Sequence, residues 1–193
     1  MRQLVVFNSL TLDGVMQAPG GPDEDRRGGF ADGGWSRPYQ DEVMGSIAAE
    51  GMSRGGPLLF GRWTYESFYS YWPHQTDNPF TEVLNRARKY VVSRTLSDPL
   101  PWENSTLLRG EGEETVRDLK NQDGPDLLVM GSGRLLQTLI RHRLVDRYVL
   151  LIHPIVLGAG RRMFRDGLRT ELRLDDVTPT TTGVIIATYS RED

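Results

Sequence analysis

Apolar residues in this chain fall into short runs, set apart by turn-forming residues and by longer amphipathic stretches. Leu4-Val5-Val6-Phe7 is too short for a helix and apolar on both faces, which predicts a strand near the centre of a sheet. Further strands are predicted at Pro57–Phe60, Lys89–Val92, 105–108, Leu127–Met130 and 146–152, the last extended by His153-Pro154-Ile155-Val156. Pro154 lacks an N–H for a ladder, so a bulge, bend or edge position is expected there. Helical spacing follows most of these runs. Ser36 can cap a helix with Pro38 in its first turn and Tyr39, Val43 and Ile47 on one face, with Asp41 and Glu42 early in it. Other helices are expected from Gly61 to Trp72, from Asn78 to Asn85, from Glu113 to Lys120, and from Gly133 through Leu135, Leu136, Leu139 and Ile140. The tail holds two strands without helices, near 171–175 and 184–189.

Strands alternating with helices and finished by strands alone predict an α/β fold. It is a three-layer α/β/α sandwich around a mixed, mostly parallel sheet with an antiparallel C-terminal edge. Residues 1–193 fit a single domain. The polar stretch from Gln17 to Gly34, rich in Gly, Pro and Asp, comes after only one strand, too little for a domain, so it reads as a binding loop or lid.

Composition narrows the function. A net charge of -3 and a pI near 5.7 lack the basic excess of a general nucleic-acid or membrane-surface binder. The chain has no cysteine, which excludes disulfides, thiolate metal sites and a cysteine nucleophile and suits a cytoplasmic setting. The opening residues lack the pattern of a signal peptide, and no segment has the roughly 20 apolar residues needed to cross a bilayer. His74, His142 and His153 are the only histidines and share no helical ligand spacing, so no metal is expected. Ser132 does not sit in the Gly-x-Ser-x-Gly elbow of a hydrolase.

Candidate chemistry lies where strands end. Gly131-Ser132-Gly133 joins a strand to a helix, where glycine lets the backbone approach a ligand and the helix start offers unpaired N–H groups and positive dipole. A diphosphate suits such a joint. Gly61-Arg62-Trp63-Thr64 and Ser93-Arg94-Thr95 are two more turns of this kind, and in an open α/β sheet all three can converge on one crevice beyond the carboxyl ends of the strands.

With these motifs in order, the chain resembles the dihydrofolate reductase superfamily, and more closely the branch similar to the reductase domain of bifunctional riboflavin-biosynthesis enzymes. The residues carrying the resemblance are Ser9-Leu10-Thr11-Leu12-Asp13-Gly14, Gly61-Arg62-x-Thr64-Tyr65-Glu66, Val92-Ser93-Arg94, Gly131-Ser132-Gly133, and Leu157-Gly-x-Gly160 ahead of Phe164. The resemblance implies NADPH bound extended across the sheet. Gly131, Ser132, Gly133, Arg134 and Leu135 would then hold the diphosphate with Gly61, Arg62 and Thr64, while Ser93 and Arg94 would take the adenosine 2′-phosphate. Asn8, Asp13 and Gly14 would border the nicotinamide, with residues 15–34 closing over it.

The resemblance thus implies a stand-alone, NADPH-dependent oxidoreductase of the aminouracil-reductase or dihydrofolate-reductase type. It would transfer hydride to a carbonyl or imine carbon of a small polar compound, pteridine- or pyrimidine-like compounds among the candidates. The catalytic acid is not in a pattern that transfers from the family; Asp13 and Asp41 are the candidates. The alternative is a module of the same fold that holds NADPH or another nucleotide without turnover, and a phosphosugar or nucleotide hydrolase is a third reading. The apolar strands at 148–152 and 184–187 need cover on both faces, which predicts a homodimer.

Overall fold

The computed structural model describes residues 1–53 and 56–192. Its strands are β1 (Leu4–Thr11), β2 (Leu58–Gly61), β3 (Lys89–Val92), β4 (Ser105–Leu108), β5 (Leu127–Val129), β6 (Arg147–His153), β7 (Leu172–Pro179) and β8 (Ile185–Arg191). They form one sheet in the order β4-β3-β2-β5-β1-β6-β8-β7, parallel except that β8 runs antiparallel to both β6 and β7. The α/β sandwich with an antiparallel C-terminal edge is thus the observed fold.

Five α-helices complete the layers among the described residues: α1 (Glu42–Ser53), α2 (Arg62–Tyr71), α3 (Pro79–Arg86), α4 (Gly112–Asn121) and α5 (Gly133–Arg141). Alternation along each strand decides which helix it meets. Leu4, Val6 and Leu10 of β1 join Leu127 and Val129 of β5 and Tyr148 and Leu150 of β6 in a cluster with α4 and α5, through Val116, Leu119, Leu136 and Leu139. Leu58, Phe60 and Val91 point the other way, to Tyr65 of α2 and Leu84 of α3. Farther along that second face, α1 lays Met44 and Ile47 against Leu151 and Ile186. Complete burial of Leu136 and Leu139 is worth about 1.5–3 kcal/mol each, which is how a helix of nine residues holds its place.

A polar cross-brace ties the ends of three elements. Lys120 of α4 donates to the Leu144 carbonyl at 2.6 Å and pairs with Asp146, whose carboxylate also accepts the Leu4 N–H at 2.7 Å at the start of β1.

Two expectations change. The helix expected from Ser36 is a single 3-10 turn over Arg37–Tyr39, after which α1 starts anew at Glu42. Asp41 is therefore not a first-turn acid but the capping residue, accepting the Met44 N–H at 2.9 Å. The extension of β6 past His153 is also absent, because the Ile155 N–H turns back to the His153 carbonyl at 2.8 Å.

Residues 15–40 form a compact loop with its own small core of Val15, Ala18, Phe30 and Trp35. Gln17 is its hub. Its side-chain amide donates to the carbonyls of Asp25 and Arg27 at 3.0 and 2.9 Å, its amide oxygen accepts the Arg161 N–H, and its backbone carbonyl accepts the Trp35 indole N–H at 2.7 Å.

Candidate functional site

A cleft of about 610 Å³ opens beyond the carboxyl ends of β2, β3 and β5. All three turns singled out in the sequence line it, Gly61–Thr64, Ser93–Thr95 and Gly131–Leu135. The decisive local structure is a reciprocal staple between two helix starts. Ser132 takes a left-handed conformation, φ 63°, as the residue that caps α5. This turns its hydroxyl away from its own helix to accept the Gly61 N–H at 2.7 Å, while its own N–H donates to the Thr64 hydroxyl at 2.8 Å. One step earlier, the Gly131 N–H donates to the Asn8 side-chain oxygen at 2.7 Å.

The consequence is a division of labour. The amides of Gly131 and Ser132 are consumed inside the protein, where they hold the N-termini of α2 and α5 side by side. The next amides, Gly133, Arg134 and Leu135 of α5 and Arg62, Trp63 and Thr64 of α2, belong to first turns that have no intrahelical acceptor. Two positive helix ends face one space, an arrangement suited to phosphate groups. Gly131 cannot be replaced cheaply: its φ is +66°, and a Cβ would stand 3.1 Å from the Thr64 methyl carbon.

The cleft is strongly cationic although the chain is acidic overall. Seven arginines line it (Arg27, Arg62, Arg94, Arg134, Arg161, Arg162 and Arg165) against two carboxylates, Asp25 and Glu111. Arg62 donates to the Thr95 hydroxyl at 2.8 Å, linking the turns after β2 and β3. Arg94 is largely exposed and paired with Glu111 at 3.0 Å, so an anion there would compete for a guanidinium that already has a partner. The Ser93 hydroxyl accepts the N–H groups of Thr95 and Leu96, both at 3.1 Å, and so shapes the turn.

Three candidates lie one layer behind the cleft wall. Asn8 braces Gly131 from behind, and its side-chain nitrogen is buried without a partner. Gly14 accepts the Met163 N–H through its carbonyl at 3.0 Å. Asp13 accepts from the Thr11 hydroxyl at 2.6 Å and from the N–H groups of Leu157 and Gly158 at 3.2 and 2.9 Å. The Thr11 hydroxyl above all, with those two amides, holds the Asp13 carboxyl down to about 2 against the opposing effect of burial. Asp41 does not line the cleft. The Met44 N–H first, then the Thr181 hydroxyl, hold it down to about 2 as well, and its second oxygen ties α1 to the turn between β7 and β8. Both candidate acids are engaged as hydrogen-bonded anchors whose partners favour the ionised form, and Asp41 lies away from the cleft.

The turn ahead of α4 also belongs to the cleft, through Gly110, Glu111 and Gly112, as do Met16, Gln17, Ala18, Arg27 and the arginines at 161, 162 and 165. The loop residues among them fall in the 15–34 segment expected to close over the site, whereas no motif in the sequence marks Gly110–Gly112 or the three late arginines as part of it. Arg27 arrives from the loop and stands 3.9 Å over the Trp63 ring, closing the loop onto α2. No group of residues able to hold a metal ion is found among the described residues.

This architecture is of the dihydrofolate reductase type. The dihydrofolate reductase of Enterococcus faecalis, complexed with NADP(H), superposes with a TM-score of 0.63 at 13% identity over 99% of this chain and 97% of that one. A Shewanella sp. PV-4 protein named for riboflavin biosynthesis superposes at 0.72, with 22% identity over 99% of both chains. Residues 2–186 match the RibD C-terminal domain family, and the chain belongs to it. Among curated proteins it is similar to YyaP of Bacillus subtilis (strain 168), itself uncharacterized, at 28% identity over 97% of this chain and 94% of that protein.

Proposed function

We propose that the protein is an NADPH-dependent reductase that transfers hydride to a carbonyl or imine carbon of a small polar compound. Membership of the RibD C-terminal domain family supports a reductase. The observation that carries the cofactor is the staple through Ser132, which sets two helix N-termini side by side in an arginine-lined cleft. The chemistry of the donors fits a dinucleotide diphosphate: first-turn amides of α2 and α5, with Arg62 and Arg134 beside them. Arg94 and the Ser93–Thr95 turn would take the 2′-phosphate, Arg94 exchanging Glu111 for it. When bound there, NADPH supplies the hydride. The protein binds, orients and excludes water, with the loop held down by Gln17 and by Arg27 on Trp63.

Titration calorimetry with NADPH and NADH tests this reading. Wild type is expected to prefer NADPH, and Arg94→Ala to weaken NADPH alone by about tenfold to a hundredfold, the worth of a charge-assisted phosphate contact. No heat with either dinucleotide would refute it. A module that holds NADPH without turnover is favoured by one observation, that Asp13 and Asp41 are both spent as structural anchors.

We further propose a homodimer through the β7–β8 edge. Leu174, Val177 and Ile185 share one sheet face there and are 52%, 50% and 44% exposed, with no helix over them among the described residues. Nucleic acid and membrane are not expected partners, and no described helix is long and apolar enough to cross a membrane.

A further inference from the structure

The turn between β4 and α4 brings a carboxylate into the arginine-lined cleft, at the corner formed by the turn after β3. Glu111 lines the cleft there with Ser93, Arg94 and Thr95, and its Oε1 accepts from the Arg94 guanidinium at 3.0 Å. Its other carboxyl oxygen takes no hydrogen bond among the described residues. The backbone at this position is fixed. The Thr115 N–H and hydroxyl both donate to the Glu111 carbonyl, at 3.1 and 2.9 Å, and a Cβ at Gly112 would stand 2.9 Å from a Leu135 methyl of α5. The turn is thus seated against one of the helix starts that face the cleft. We propose that Glu111 sets the choice of dinucleotide: it accepts the adenosine 2′-hydroxyl of NADH, so that the cleft takes NADH as well as NADPH. The inference rests on the reductase reading above and refines its choice of cofactor.

Dinucleotide sites tell the two cofactors apart by the group that meets the adenosine ribose. A carboxylate accepts a hydrogen bond from a free 2′-hydroxyl, whereas a guanidinium pairs with a 2′-phosphate. This cleft presents one of each, already bonded to each other. NADH leaves the pair closed and donates its 2′-hydroxyl to the open oxygen of Glu111. NADPH has to open the pair, and the released carboxylate then stands beside a phosphate of the same sign of charge. Opening costs little, because the two side chains are 71% and 67% exposed and a solvated ion pair adds little stability. The repulsion remains, and it offsets part of what Arg94 gains from the phosphate. Neighbouring groups do little to relieve it. Arg62 is shared between the Thr95 hydroxyl and Glu66, and the Ser93 hydroxyl already accepts two backbone N–H groups of its own turn. The expected result is a narrow preference for NADPH, not an exclusive one.

The test uses the full chain and three probes in titration calorimetry: NADPH, NADH, and NADH lacking the adenosine 2′-hydroxyl. Wild type is expected to bind NADPH no more than about tenfold more tightly than NADH. It should bind the 2′-deoxy compound about tenfold more weakly than NADH, the worth of one hydrogen bond to a charged acceptor. Glu111→Ala should close that gap by weakening NADH, while NADPH binds about threefold to tenfold more tightly as the repulsion goes. A lesion that only disturbed the turn would weaken all three probes together. Should Glu111→Ala not fold, Glu111→Gln takes its place: it keeps an acceptor oxygen without the charge, and should tighten NADPH and narrow the gap. NADH that loses nothing with its 2′-hydroxyl overturns the inference and leaves the reductase reading standing. So does a gap that neither variant narrows, NADPH that weakens along with NADH, or a wild type that prefers NADPH by more than about tenfold. A protein that binds none of the three takes both readings down.

Discussion

In the interior of the sheet, β2 and β5 run into helices; at one edge, β7 and β8 fold back on each other. In the first region the chain leaves each strand through a tight turn, and the amides of the ensuing helical turn have no partner within the helix. In the second, β8 pairs with β6 on one side and β7 on the other, β7 closes the sheet as its edge strand, and one face of the pair leaves Leu174, Val177 and Ile185 exposed. Unpaired backbone donors recognise small anions, while unpaired apolar side chains recognise another protein surface. On the proposals above, the same sheet serves a ligand site in one region and a contact surface in the other, according to what each leaves exposed.

The sharpest way to break this contrast is at Gly131. Valine there must take a positive φ and push against Thr64, so Gly131→Val is expected to cost about 3 kcal/mol or more of cleft geometry and over about a hundredfold in NADPH affinity, measured by calorimetry. The same protein should keep its dimer in analytical ultracentrifugation, since the β7–β8 face is remote from the change. The reverse experiment is Leu174→Glu with Val177→Asp, which should yield a folded monomer at micromolar concentration with NADPH affinity within about threefold of wild type. A monomeric wild type would remove the second half of the comparison. Ser132→Ala tests the staple with a smaller lesion. It leaves the Gly61 N–H without its acceptor, a loss of about 1–2 kcal/mol in denaturant-measured stability and roughly tenfold in NADPH affinity.

The smallest effect lies at Asp41, which joins α1 to the turn between β7 and β8. Its carboxyl is held below its ordinary value, so its contribution to stability is present above 3.8 and is lost as pH falls toward about 2. Asp41→Asn should lower the melting temperature at neutral pH, and the gap to wild type should close across that acid range. A gap of constant size would show that the ionised form is not what binds Met44 and Thr181.

Much of the fold could be read from local pattern. β3 has the bounds its run predicts, because residues buried on both faces leave little freedom of period, and the expected bounds of the edge strand β4 are observed as well. The three turns that line the cleft could be placed by the rule that ligands gather where parallel strands end. The start of α1 could not, since Ser36 and Pro38 are good helix-starting residues, and only the packing of Tyr39 and Met44 on the sheet makes the chain pause and restart at Asp41. The carboxyls show the same limit. Asp13 stands in the family motif, yet its neighbours Leu157 and Gly158 come from 144 and 145 residues away and turn it into an anchor.

What this sequence decides by itself is periodicity and backbone permission: which segments can be strands buried on both sides, which can be helices with one apolar face, and where glycine allows a turn no other residue tolerates. Those are properties of a few neighbouring residues. Which amides stay open, which acids are pushed toward or away from ionisation and which arginines meet in one cleft depend on distances between residues far apart in the chain. Ser132 reaches Gly61 and Thr64 across 71 and 68 positions, and no local pattern records that contact. Only folding removes water from Glu24 and brings donors to Asp13, and it is that difference in surroundings that gives the two carboxyls opposite tendencies to ionise.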